Sequence, residues 1–448
     1  MRRVRRNDKR VAQLDRAVYE HKIIRDSVHG NIKIEGLLLD LMETPEVQRL
    51  NCIHQLGFAY LVYPGAHHSR IEHSLGTAHI AGKIAEQLNL ENYEKTLVQA
   101  VGLLHDIGHG PYSHTLEYII SKKLKKDHVD ITKQIITGEY SVIKGNELIA
   151  IDNTKTVAEI LERYDLEPRK VANLVSKSFV DYSLDVFLTK EIERRYLHQV
   201  IHSPIDADQI DFLIRDAYYT GVAYGIIDTE RLIQTMTLFK DELVMDKKGV
   251  SAIENMLVAR GLMYSSVYFH KTVRIAEIML ARAVERALEL GKLEELNRMV
   301  DSELLAELEK AHSYCKEIVL RLKYRKLFKK AYSKDIKEFS KEELDALSEL
   351  DNADKRLKKE RELCRKVGAK EGYVLIDTPG KEIILSEPRL DKIDIRILDN
   401  GKLRFLSDYS PIAKAMRTRK IVDWAVMVST QPKYSKQVAK VAERVLLG

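Results

Sequence analysis

Cysteine is scarce: Cys52, Cys315 and Cys364 are the only three in 448 residues, and no two form a Cys-x-x-Cys pair. That excludes a disulfide framework and leaves buried or free thiols of a reducing compartment, so the expected location is cytoplasmic. No run of 18 or more apolar residues occurs, which excludes a transmembrane helix and a membrane partner. The basic opening MRRVRRNDKR is not followed by an apolar stretch, so it is not a secretory signal. Prolines are few, 9 in all, and no internal repeat is seen. Neither charge sign dominates: 73 Lys and Arg oppose 67 Asp and Glu, a net +6. Such a balance is compatible with an anionic small molecule or weak nucleic-acid contact and demands neither. The length is enough for a large core and more than one domain.

What the sequence has instead is clustered histidine. Eight of the 15 (His67, His68, His73, His79, His105, His109, His114 and His128) fall between residues 67 and 128. Uniform scatter would put about two there, so the clustering points to a metal or acid–base site.

Most of the chain reads as helix. Leu75, Ile80, Ile84 and Leu88 recur at helical spacing, and Leu97, Val98, Val101 and Leu104 share one broad face. SPIDADQIDFLIRDAYYTG opens on Ser203-Pro204 and closes at Gly221; AIENMLVARGLMYSSVYFHKTVRIAEIMLARAVERALELG reads as one long helix ending at Gly291. Strand-like pieces lie near residues 30–35 and 240–250. Residues 292–370 are dense in Lys and Glu and read as a charged helical subdomain. Their basic run RLKYRKLFKKAYSK is a solvated helix face, with nucleic-acid contact as the alternative. After Gly372 the period changes to two, with Asn400-Gly401 as a type I′ hairpin turn, so residues 371–448 form a small α+β domain. The expected fold is mainly α: a catalytic region over 1–291, the helical subdomain, and the α+β tail.

Adjacent His105 and Asp106 project about 100° apart on a helix, so both reach one ion only at a helix end. Gly108 and Gly110 supply that end and let backbone approach a ligand. Two groups leave a metal under-coordinated. His73 starts a helix with Arg70 one turn before it, and Asp208, Phe212 and Asp216 fall at i, i+4, i+8 on one helix face. Asp208 completes a His2Asp2 set with His73, His105 and Asp106. This mixed set suits one divalent ion such as Mn, Fe, Zn, Ni or Mg, with positions left open for water and substrate. His54, His67, His68 and His79 read as surface or packing histidines, His29 as part of a turn, Tyr218 and Tyr219 as core aromatics, and Arg70 and Arg260 each as a structural ion pair or a site residue.

The pattern His73…His105-Asp106…Asp208 resembles the HD-domain phosphohydrolases. The segments DSVHGNIKI, TPEVQRL, IHQLGFAYLVYPGAHHSRIEHSLG, GLLHDIGHGPYSH, IDADQIDFLIRDAYYTGV and YFHK are similar, in that order, to the dNTP triphosphohydrolase branch, over roughly residues 20 to 290. The resemblance implies an HD helical bundle that releases deoxynucleoside and inorganic triphosphate from dNTPs, with additional Mg on the substrate phosphates. By the same resemblance His109, His114 and His128 surround the α-phosphate. His114 is then the general acid and Glu117 its partner, where the family usually has aspartate. Gln55 and Asp216 would recognise the 3′-hydroxyl, Arg70 and Lys271 the triphosphate, and Tyr268 would pack on the sugar against a 2′-hydroxyl. A homo-oligomer is also implied.

Some positions depart from the family pattern. Phe212, Gln209 and Phe269 stand where the mammalian relative has tyrosine, lysine and glutamine, and Glu43 and Asn51 replace the residues of its regulatory guanine site, with Gln48 retained. These speak against guanine-nucleotide activation of that kind. Phe212 and Gln209 also keep open an HD phosphohydrolase on another nucleotide or phosphoester, and the basic helical segment with the +6 charge keeps open a nucleotide- or nucleic-acid-binding regulator.

Overall fold

The computed structural model describes residues 21–152, 154–176, 194–378, 395–418 and 424–447, apart from the side chains of His114, Arg417 and Thr418. The first described element is a hairpin of β1 (His21–Asp26) and β2 (Gly30–Glu35), registered from His21↔Glu35 to Asp26↔Gly30. Asp26 closes its turn by accepting the backbone N–H groups of Val28 (2.9 Å) and His29 (2.7 Å).

The body is helical, as the apolar periodicity requires. α1 (Arg70–Gln87) packs against α2 (Asn92–Leu104), with Gly102 permitting the approach: a Cβ there would lie 3.1 Å from the Ala78 backbone. α3 (Ser113–Leu124) and α4 (His128–Ile136) come after the turn that ends α2. α5 (Ala207–Thr220) lies on α1 and ends at Gly221 in the left-handed conformation. Its N-cap is Asp206, three residues later than the Ser203-Pro204 start read from sequence, because the Asp206 carboxylate accepts the N–H of Gln209 (2.8 Å).

The segment read as one long helix is divided. β3 (Met236–Phe239) and β4 (Glu242–Asp246) precede α6 (Val250–Met263); residues 264–268 make a π-helical turn, and α7 (Lys271–Glu289) starts afresh with His270 capping Thr272. Apolar residues continue through the break, so their spacing alone did not mark it. α8 (Asp301–Ala311) and α9 (Ser313–Lys323) come next.

The basic run is half helix and half strand: α9 ends at Lys323 and β5 (Lys329–Asp335) begins six residues later. After α10 (Ala353–Val367) come β6 (Val374–Asp377), β7 (Arg396–Asp399), β8 (Lys402–Phe405), β9 (Trp424–Thr430) and the closing helix α11 (Ser435–Leu447). β5 becomes a strand because β9 pairs with it, a partner about a hundred residues away. Asn400 (φ 50°) and Gly401 (φ 74°) join β7 to β8 as the primed turn read from sequence.

Packing groups the chain differently from the division at residues 291 and 370. Leu304, Leu308, Ile318 and Leu322 belong to the same core as Leu103 and Ile210. β7 pairs in parallel with β4, so the β7–β8 hairpin extends a sheet begun near residue 236. A second, smaller core gathers Leu350, Leu363, Val374, Val426 and Val438 around the β5-β9-β6 sheet. This unit docks on α7 through two arginines: buried Arg282 grips both oxygens of Glu360 (2.9 and 3.1 Å), and half-buried Arg274 reaches Asp377 (2.9 Å). Among the described residues no helix is long and apolar enough to cross a membrane.

Candidate active site

α2 ends at Leu104, and His105 is its C-cap, so the His-Asp pair sits at a helix end as the projection argument required. The Nδ1–H of His105 donates to the Gly102 carbonyl (2.8 Å), which leaves the Nε2 lone pair facing inward. That Nε2 is buried and has no hydrogen-bond partner among the described residues. It lies 3.4 Å from Asp106 Oδ1 and 3.8 Å from Asp208 Oδ1. From α1, His73 brings Nε2 to 3.1 Å from Asp208 Oδ1, its ring 5.1 Å from that of His105 at 82°. An unsatisfied buried lone pair among two carboxylates and a second imidazole is the donor set of a divalent ion, and the ligand atoms of His73, His105 and Asp106 lie within 4.8 Å of one another.

A residue outside the His2Asp2 set, with no signal in its own sequence neighbourhood, supports it. Asp211, fully buried one turn after Asp208, accepts from His73 Nδ1 (2.8 Å), His29 Nε2 (2.6 Å) and Arg215 (2.8 and 3.0 Å). Arg215 in turn reaches Asp26 at 2.9 Å. His29 therefore does more than shape its turn. Gly76 makes room for this cluster, since a Cβ there would sit 1.9 Å from Asp211 Oδ1. Burial alone would raise the Asp211 carboxyl, but Arg215, His29 and His73 outweigh it and hold it well below the usual carboxylate range. Burial also works against charging His73, yet Asp208 and Asp211 push it up to about 10. Asp206, buried beside Asp208, is pushed up to about 8, chiefly by desolvation.

Beyond the quartet, Arg70 is a correction. Expected on the triphosphate, with a structural ion pair as the alternative, it is buried, donates Nε to Ser113 Oγ (2.6 Å) and pairs with Asp106 Oδ2, so it orients the Asp106 carboxylate. His109 Nε2 lies 3.4 Å from Asp106, and its ring stacks on His128 at 4.1 Å. The carboxylate of Glu117 contacts His128 Nδ1, whereas the side chain of His114, its expected partner, lies outside the described residues. The two glycines of the turn admit protein rather than ligand. A Cβ on Gly108 would lie 2.3 Å from the His128 carbonyl, and one on Gly110 would lie 2.9 Å from Ile120 Cδ1.

On the other side, the Tyr268 hydroxyl donates to Asp216 (2.6 Å), and Phe212 meets the Tyr268 ring edge-on at 6.2 Å. His68, read as a packing or surface histidine, is buried with Nε2 2.8 Å from the same carboxylate. Gln55 is buried with Oε1 unpartnered, and Lys271 is exposed at the start of α7. Gln209 folds its amide back onto Ser203 O (2.6 Å) and Asp206. Tyr218 is 60% exposed and so is not a core aromatic. Arg260 is buried and makes no ion pair among the described residues; its Nε and Nη1 have no hydrogen-bond partner there, and Tyr264, Asp206, Asp208 and Tyr268 lie close enough to act on its charge. Buried guanidinium N–H groups without a partner are costly unless an anion comes to them, a signal that burial alone could reveal.

The HD domain model matches residues 70–211, and the HD associated region matches residues 227–447. This chain belongs to the HD-domain phosphohydrolase family. It is 33% identical over 414 residues to the uncharacterized protein MJ1154 of Methanocaldococcus jannaschii, across 91% of this chain and 78% of that one. The deoxynucleoside triphosphate triphosphohydrolase SAMHD1 of Danio rerio is 29% identical over 283 residues, 59% of this chain and 45% of the relative. Human SAMHD1 is 27% identical over 349 residues, 69% and 54%. The chain thus spans about half the length of these two relatives. A crystal structure of a phosphohydrolase from Bacteroides thetaiotaomicron superposes with a TM-score of 0.67 at 26% identity, covering 92% of this chain and all of that one. A hypothetical protein from Aquifex aeolicus gives 0.65 at 27%, covering 94% and 99%.

Proposed function

We propose that this HD-domain protein hydrolyses deoxynucleoside triphosphates to deoxynucleoside and inorganic triphosphate. The observation that carries the reading is the buried Nε2 of His105, without a partner among the described residues and set among His73, Asp106 and Asp208, with Arg260 nearby holding a buried Nε and Nη1 that likewise lack one. His73, His105, Asp106 and Asp208 would hold a divalent ion, which supplies Lewis acidity at a phosphoryl oxygen and an acidified water. Around it the chain's own groups have distinct tasks. Arg260 and Lys271 neutralise a triphosphate of about four negative charges. His109 and His128 stand by the α-phosphate. As water adds to the α-phosphorus, the bond to the 5′ oxygen breaks, and His114 gives that oxygen its proton. Gln55 and Asp216 take the 3′-hydroxyl, while Tyr268, tethered to Asp216, leaves no room for a 2′-hydroxyl. A homo-oligomer and a cytoplasmic location belong to the same proposal.

Anion chromatography of products from the purified protein with Mn²⁺ and each dNTP, beside Asp208→Ala, tests it. Tripolyphosphate and deoxynucleoside, absent with Asp208→Ala, are the expected products. No turnover of any dNTP under several metals refutes the reading. One observation favours a second reading, hydrolysis of another phosphoester: Gln209 turns its amide onto Ser203 and Asp206 and so offers phosphate no cation. Products other than tripolyphosphate would select it.

A further inference from the structure

The turn between α2 and α3 is held from outside the helices that carry its ligands. Arg49 is a buried guanidinium whose hydrogen bonds go to main-chain carbonyls: Nη1 to His109 (2.9 Å), Nη2 to Asn297 (3.0 Å) and Met299 (2.8 Å), and Nε to Arg298 (3.3 Å). One planar fork thereby ties the His109 peptide to residues 297–299, of which Asn297 also lies against Gly110. Two residues further on, Asp301 opens α8 and spreads its carboxylate across two walls of the site. Its Oδ1 accepts the N–H of Tyr112 (2.7 Å); its Oδ2 accepts the N–H of His54 (2.9 Å) and meets His54 Nδ1 (2.7 Å).

The point that Asp301 grips is conformationally unfavourable. Tyr112 has φ 47° and ψ 40°, a left-handed backbone that a bulky side chain avoids, and it is held there between Asp301 and the stacked ring of Phe58 at 4.6 Å. Both gripped residues adjoin site groups in the chain. Ser113, next to Tyr112, accepts through Oγ from Arg70, which grips Asp106. Gln55, next to His54, carries the unpartnered Oε1.

We propose that Arg49 and Asp301 are positioning residues for the catalytic turn, so that residues 297–301 of the HD-associated region set the geometry of His109, Ser113 and Gln55. The kinetic part of this inference rests on the triphosphohydrolase reading; the structural part does not. Asp301→Asn keeps size and shape but turns a donor toward one of the two N–H groups. Arg49→Lys keeps charge but loses the fork. Leu308→Ala, in the core face of the same α8, destabilises the helix without touching the turn.

Hydrogen exchange of the peptide spanning residues 105–115 is measured by mass spectrometry in all four proteins, with kcat and KM for the dNTP that the wild type turns over best. Asp301→Asn and Arg49→Lys should speed exchange in that peptide about tenfold or more. They should lower kcat about a hundredfold, with KM within about twofold and bound Mn²⁺ unchanged. Leu308→Ala should do neither. Exchange at wild-type rates in both brace variants, or equal acceleration in Leu308→Ala, overturns the proposal. Wild-type protein without turnover refutes the substrate reading alone, and the exchange comparison still decides the brace.

Discussion

Asp211→Asn is the substitution that separates support of the metal site from the ligands themselves. The carboxylate accepts four hydrogen bonds from charged or chargeable donors, His29, His73 and two from Arg215, and is itself fully buried. Asparagine fills the same space, but its one oxygen cannot serve all four, and its amide nitrogen faces donors. Arg215 keeps Asp26 at 2.9 Å, so the loss falls at the low end for a broken buried pair, about 3 kcal/mol of stability. At the metal, His73 loses the acceptor that fixes which nitrogen carries its proton and which way the ring points. Disruption of such a support typically weakens metal binding about 10- to 100-fold, or about 1.4–2.7 kcal/mol. The assay is Mn²⁺ titration of chelator-stripped protein, with urea unfolding on the same preparation. The expected order of affinity is wild type, then Asp211→Asn, then Asp208→Ala with little binding. Asp211→Asn that loses stability yet binds Mn²⁺ as tightly as wild type would refute the reasoning, because Asp211 would then serve the fold alone.

The same geometry predicts other outcomes. Arg260→Met removes a buried guanidinium with unpartnered nitrogens, so urea unfolding should show equal or greater stability, by up to about 2 kcal/mol, while KM for the nucleotide rises at least about tenfold. Gly108→Ala places a Cβ 2.3 Å from the His128 carbonyl and 2.5 Å from the Thr132 nitrogen; no side chain alone can yield there, and product assays should show kcat falling steeply as His128 moves off His109. Tyr268→Phe deletes the hydrogen bond to Asp216, and the ratio of kcat/KM for deoxyribonucleotide over ribonucleotide should fall about tenfold. Glu46 is buried, and desolvation pushes its carboxyl up to about 7 from 4.5. Its contribution is therefore fully present below pH 4.5 and lost as pH rises through 7, so Glu46→Gln should be neutral at pH 4.5 and stabilising by about 1–3 kcal/mol at pH 8 in urea unfolding.

Much of the site was legible in the sequence because its chemistry demands particular residues at particular helix positions. A His-Asp pair with two glycines close behind it marks a helix end, and carboxylates eight apart share a face; the structure brings His73, His105, Asp106 and Asp208 near one another. The hairpin at Asn400-Gly401 and the end of α5 at Gly221 were likewise dictated locally, by residues that accept positive φ.

Only the tertiary structure decided the rest, since the partners lie far apart along the chain. Asp211 meets His29 across 182 residues and Arg49 meets Asn297 across 248, and nothing near either residue announces the contact. Arg70 looks like a phosphate ligand until Asp106 is seen beside it. The stretch from 329 to 335 is a strand because β9 lies next to it, although its own residues continue the composition of a charged helix. Sequence determined which groups bear the chemistry; folding determined which are free to reach a substrate and which are spent holding the others in place.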